Sequence, residues 1–125
     1  MKITLVSLPV HDPMEAHKFY TEVLGFLTRT HIPQANLAIV ASPEEPDGTG
    51  LLLEPNDHPV ARQYQQGIYD AGLPIMVFGV DDIQGEYERL ARLGVEFRQE
   101  PTRTDYGIVA LLDDTCGNLI QLHQV

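Results

Sequence analysis

The chain repeats itself, and an internal repeat limits the possible folds more than any composition value does. Ile3-Thr4-Leu5-Val6-Ser7-Leu8-Pro9-Val10-His11-Asp12 lines up with Leu73-Pro74-Ile75-Met76-Val77-Phe78-Gly79-Val80-Asp81-Asp82. Each segment is an apolar strand that closes on Val and a polar or acidic pair. Each is followed by an amphipathic helix. In the first copy Asp12 is a helix N-cap, Pro13 takes the first helical position and Glu15 lies three residues after the cap. Its apolar face is Ala16, Phe19, Tyr20 and Val23. The second helix starts near Ile83 and places Ile83, Tyr87, Leu90 and Ala91 on one face. Both helices stop at Leu-Gly, at Leu24-Gly25 and Leu93-Gly94, with glycine supplying the left-handed C-cap.

Three short strands are predicted after each helix. They fall near Phe26–His31, Leu37–Ala41 and Leu51–Glu54 in the first copy, and near Val95–Arg98, Gly107–Leu112 and Asn118–His123 in the second. Residues 42–49, with two prolines and three acids, read as an exposed loop. Between the copies, His58–Asp70 reads as a helix opened by Pro59, with Val60, Tyr64 and Ile68 on one face. Before the last strand, Asp113-Asp114-Thr115-Cys116-Gly117-Asn118 reads as a turn. Gly117 there supplies positive φ, and the short polar side chains bond their own backbone.

The expected organisation is α+β: two tandem βαβββ modules within one domain spanning 1–125. Module one covers 1–56, a linker helix 57–72 and module two 73–125. Each sheet needs its apolar face covered. Sheets paired edge to edge give a curved, half-open mixed β-sheet barrel with the helices outside and a ligand cavity on the concave side.

Bulk properties then exclude several function classes. Net charge is −10, a balance that repels phosphate backbones and argues against nucleic acid while favouring cationic ligands. Such acidity also serves solubility alone. One cysteine, Cys116, precludes an internal disulfide and any cysteine-clustered metal site. No apolar run reaches membrane-span length, and no signal-peptide pattern opens the chain, so a cytoplasmic protein without membrane association is expected.

Lys18-Phe19-Tyr20-Thr21-Glu22-Val23-Leu24-Gly25-Phe26 in the first module, with Val80-Asp81-Asp82-Ile83 and Asp113-Asp114-Thr115-Cys116-Gly117-Asn118-Leu119-Ile120 in the second, resemble the vicinal oxygen chelate superfamily. That group includes glyoxalase I, the bleomycin resistance proteins and the extradiol dioxygenases. The resemblance spans nearly the whole chain. It implies paired βαβββ modules around a cavity and a homodimer; it does not by itself imply one chemistry.

In metal-dependent members, the resemblance implies a His, Glu or Gln ligand from each of four strands. Counting from Val-x-Asp and from the glycine turn places those positions at Leu5, Gly50, Ile75 and Gln121. Only Gln121 carries a donor atom, so no metal and no other cofactor is expected. A displaced divalent metal site is the alternative, since Glu54, Gln121 and His123 share inward strand parity.

The candidate cavity set is Gln121, His123, Glu54, Tyr106, Arg103 and Ser7. Arg103 and Tyr106 lie in a segment, Arg103–Tyr106, that would form either a lid over the pocket or a polar hairpin turn. His123 is either a cavity group or a solvated imidazole. His11 and His17 read as surface residues, and His31 as solvent-exposed or at the cavity mouth. Tyr64 and Tyr69 read as packing residues or a cover over one pocket end. Cys116, with no adjacent base, is not read as a nucleophile. The reading favoured is a metal-free small-molecule binder of the bleomycin resistance kind. A lyase or dioxygenase-type enzyme with a displaced metal, lactoylglutathione-lyase-like or extradiol-dioxygenase-like, is the alternative, and a structural or regulatory partner is the third.

Overall fold

The computed structural model describes residues 1–125. The fold is α+β, with two four-stranded mixed sheets, each built from one βαβββ module. Module one comprises β1 (Leu5–Val10), α1 (Pro13–Lys18), β2 (Leu27–Ile32), β3 (Leu37–Ala41) and β4 (Gly50–Pro55). Helix α2 (Pro59–Asp70) follows. Module two comprises β5 (Met76–Gly79), α3 (Ile83–Arg92), β6 (Phe97–Thr104), β7 (Gly107–Asp113) and β8 (Leu119–Gln124). The strand orders are β1-β4-β3-β2 and β5-β8-β7-β6, so each closing strand lies parallel to its opening strand. By internal contacts the chain divides into compact units Met1–Gln63 and Tyr64–Val125, and the division falls inside α2.

The helix boundaries follow from local chemistry. Asp12 Oδ1 accepts from Met14 N at 3.0 Å, and Asp82 Oδ1 accepts from Gly85 N at 3.0 Å, each satisfying an amide that has no intrahelical partner. Gly25 and Gly94 end the helical runs at φ 91° and 88°. There Phe26 N bonds back to Tyr20 O, and Val95 N to Leu90 O, each at 3.0 Å. One feature was not foreseen: after Lys18 the helix widens into a π-helical turn over Phe19–Val23, with Leu24 N bonded to Phe19 O at 3.0 Å.

In module one the core is Leu8, Val10, Ala16, Tyr20, Ala38, Val40 and Leu53, all at 0% exposure. In module two it is Ile83, Leu90, Ala110, Leu112, Leu119, Ile120 and Leu122. Burying each large aliphatic side chain contributes roughly 1.5–3 kcal/mol. Period-two alternation then turns Leu5, Ser7 and Pro9 of β1, and Gln121 and His123 of β8, to the opposite sheet face.

Three expectations are corrected. Strand β6 runs to Thr104 rather than ending near Arg98. Pro101 is accommodated because β6 is an edge strand and the ladder slips between Gln99 and Thr102. On α2, Val60 and Tyr64 are 67% and 58% exposed, and the buried residue is Gln65, whose amide finds partners in the turn before β8. On α3, Ala91 is exposed, while Tyr87 packs edge-on against Phe97.

Candidate functional site

In module two, Ile120 and Leu122 are buried beneath α3, and Gln124 Oε1 caps that helix by accepting from Ile83 N at 2.8 Å. Gln121 and His123 therefore share the other face. Gln121 is half-buried between Val77 and Leu111, its partners in the adjacent strands. His123 stands between Gly79 and Val109 and reaches the β6–β7 hairpin, with Nε2 2.8 Å from the Tyr106 carbonyl. A carbonyl only accepts, so Nε2 is the donor in this contact.

The segment Thr104–Gly107 is a tight hairpin turn. Thr104 Oγ1 donates to Gly107 O at 2.8 Å and accepts from Tyr106 N at 3.2 Å. Tyr106 is 85% exposed at its tip. Arg103 is not brought to Gln121 and His123. It pairs with Ile108, which pairs with Gln124, so it belongs to the helix-bearing face. The prolonged β6 fixes this parity.

In module one the corresponding face carries Leu5, Ser7 and Pro9 on β1, facing Gly50, Leu52 and Glu54 on β4. Ser7 is exposed and Glu54 half-buried. The two parallel ladders also correct one counted position. Pro9 pairs with Glu54 as Gly79 pairs with His123, which makes Leu52, opposite Ser7, the counterpart of Gln121, opposite Val77. Gly50 lies two residues earlier. The four equivalent positions are thus Leu5, Leu52, Ile75 and Gln121, and three of these side chains have no donor atom. That set does not suit a divalent metal. No group of three or more His, Cys, Asp or Glu side chains is gathered closely enough to hold one.

Gly50 has a neighbour that sequence reading missed. A Cβ there would lie 2.8 Å from Arg29 Nη1, 2.9 Å from Ile39 Cγ2 and 3.3 Å from Leu5 Cδ1. The ladder of β2 slips between Thr28 and Thr30, and Arg29 is the extra residue. The bulge turns its guanidinium onto the face of Leu5 and Ile39. Arg29 Nη2 donates to Pro46 O at 2.7 Å and to Gly48 O at 2.8 Å, pinning the acidic 42–49 loop.

The turn before β8 sets the register of Gln121 and His123. Asp114 is fully buried, and its Oδ1 accepts from Cys116 N at 2.7 Å and Asn118 N at 2.9 Å. Asn118 Nδ2 donates to Asp114 Oδ2 at 3.0 Å, and Gln65 Nε2 donates to Asn118 Oδ1 at 3.1 Å. Thr115 and Gly117 take positive φ, 61° and 99°. Cys116 is buried at 4% exposure inside this turn. Beside it, Tyr69 donates to Asp113 Oδ2 at 2.6 Å and accepts from Arg98 Nη2 at 2.7 Å. The hydrogen bond to the Asp113 carboxylate, with burial second, raises the Tyr69 pKa. Tyr69 thus holds α2 to the turn.

His31 packs on the helix-bearing face, its ring stacked on that of His17 at 4.3 Å and 13°. His17 Nε2 lies 2.8 Å from Thr28 Oγ1. Burial first, and the neighbouring His31 second, lower the His17 pKa below its ordinary 6.5, against a smaller upward pull from Glu22.

An uncharacterized protein of Bacillus subtilis (strain 168), YurT, is 49% identical over 99% of both chains. The crystal structure of UcmS2 superposes with a TM-score of 0.81 at 29% identity, over 98% of this chain and 97% of that one. TnmS3, an antibiotic binding protein from Streptomyces sp. CB03234, superposes with a TM-score of 0.78 at 27% identity, over 99% and 95%. The model of the Glyoxalase/Bleomycin resistance protein/Dioxygenase superfamily matches residues 2–122, and the chain belongs to that superfamily.

Proposed function

We propose that the protein binds a small organic molecule without a metal cofactor, and that Leu5, Leu52, Ile75 and Gln121 stand where the metal-dependent members of the superfamily carry their ligands. The observation behind this reading is the chemistry of those four side chains: aliphatic at three positions where the metal-dependent members of the superfamily carry His, Glu or Gln. An aliphatic face with a few fixed polar groups is what organic ligands are held by. The likeness to TnmS3, an antibiotic binding protein, at 27% identity supports an organic ligand. No helix is long and apolar enough to cross a membrane. A homodimer belongs to the same proposal.

The experiment is a thermal-shift screen of bleomycin and of flat aromatic drugs, with and without a chelator. A ligand at 100 times its Kd that binds the native state alone should add about 2.7 kcal/mol. Stabilisation that survives the chelator is expected. Stabilisation by none of these compounds, or only by a metal, would overturn the proposal.

A further inference from the structure

We infer that Arg29 is the polar anchor of the module-one face and that the bound molecule presents it an anionic oxygen. The inference rests on the small-molecule binding reading and specifies the ligand's chemical class. Arg29 Nη2 is committed to the carbonyls of Pro46 and Gly48. These two bonds hold the guanidinium plane in place. Nη1 and Nε donate to nothing in the protein, and no carboxylate pairs with the charge. Glu44, Glu45 and Asp47 lie on the pinned loop and make no ion pair with it.

Nη1 lies over the backbone of Gly50, in the space a side chain there would fill. Around it are Leu5, 46% exposed, and the half-buried Ile39, whose cross-strand partner is Leu52. The face thus joins an aliphatic surface to an exposed guanidinium that two loop carbonyls hold, that makes no ion pair and that has donors to spare. A guanidinium in that setting selects a carboxylate, sulfonate or enolate oxygen attached to an apolar body. The local charge opposes the preference for cations that the net charge of −10 suggests, and at hydrogen-bond distance the local group dominates.

Three probes of one shape test this by calorimetry: anthraquinone-2-carboxylate, neutral 2-methylanthraquinone and cationic 2-(aminomethyl)anthraquinone. The wild type should bind the carboxylate tightest. Arg29→Met should weaken the carboxylate about tenfold or more while moving the neutral probe less than about threefold, since a charge-assisted hydrogen bond is lost. Arg29→Lys should recover part of the loss. Should Arg29→Met fold poorly, Gly50→Ala displaces the guanidinium by crowding Nη1 and should show the same selectivity. An equal loss for all three probes would reduce Arg29 to a loop clamp and overturn the inference. Tightest binding of the cationic probe would overturn it too and leave the binding function standing. Binding of no probe would count against both.

Discussion

Removing the Asp114 carboxylate should unlatch the turn that sets β8. Three donors converge on it, from Cys116 N, Asn118 N and Asn118 Nδ2, in a site with 0% exposure. A hydrogen bond to a charged acceptor contributes about 1.5–3 kcal/mol, and a buried donor left unpaired costs about 1–3 kcal/mol. The three are not additive, and the carboxylate's own desolvation is recovered on deletion, so Asp114→Ala should cost about 3–4 kcal/mol. At this chain length the melting temperature should fall by about 10–15 °C.

Asp114→Asn is the finer test. Carboxylate oxygens only accept, so Asn118 must turn its NH2 toward Asp114 and its carbonyl toward Gln65. An amide at position 114 can keep both backbone bonds but sets NH2 against NH2. Rotating Asn118 relieves that clash and breaks the Gln65 bond instead. A cost of about 2 kcal/mol is expected. Urea unfolding followed by circular dichroism measures both variants, with the exposed Asp47→Asn as a control that should stay within about 0.5 kcal/mol. If Asp114→Ala unfolds within about 1 kcal/mol of the wild type, the carboxylate does not hold the turn and the reasoning fails.

Two further outcomes are expected. The folded-state pKa of His17 is depressed, so below pH 6.5 the unfolded chain binds more protons and stability falls with acidity through that window. His17→Asn should flatten this part of the profile, and an unchanged slope in urea titrations at several pH values would contradict the assignment. Tyr69→Phe removes the donor to Asp113 and the acceptor for Arg98, and should cost about 1–2 kcal/mol in the same assay, since the site is half-exposed. A neutral substitution would show that α2 is held to the turn by Gln65 alone.

What was legible in the sequence was local. The caps at Asp12 and Asp82 and the glycines at 25 and 94 act within one helical turn, so their signals sit beside the structures they make. The repeat carried the rest of the architecture. What stayed hidden depended on distant partners. Gln65 is polar and buried because Asn118 and the Cys116 carbonyl meet it across 53 and 51 residues of chain. The register of β4 on β1 has no glycine turn to count from, so counting along the sequence lands on Gly50, two residues before Leu52. Arg103 was misplaced because Pro101 masked the extension of β6. Arg29 had a faint signal, a cation amid threonines on a strand, but the bulge that turns it onto the sheet face arises from pairing with β3.

Anthraquinone-2-carboxylate binding, measured beside the metal content of the protein before and after exhaustive chelation, bears most directly on whether these faces act without a metal. Substoichiometric metal and a Kd unchanged by chelation are predicted. A full complement of divalent metal whose removal abolishes binding would contradict the account.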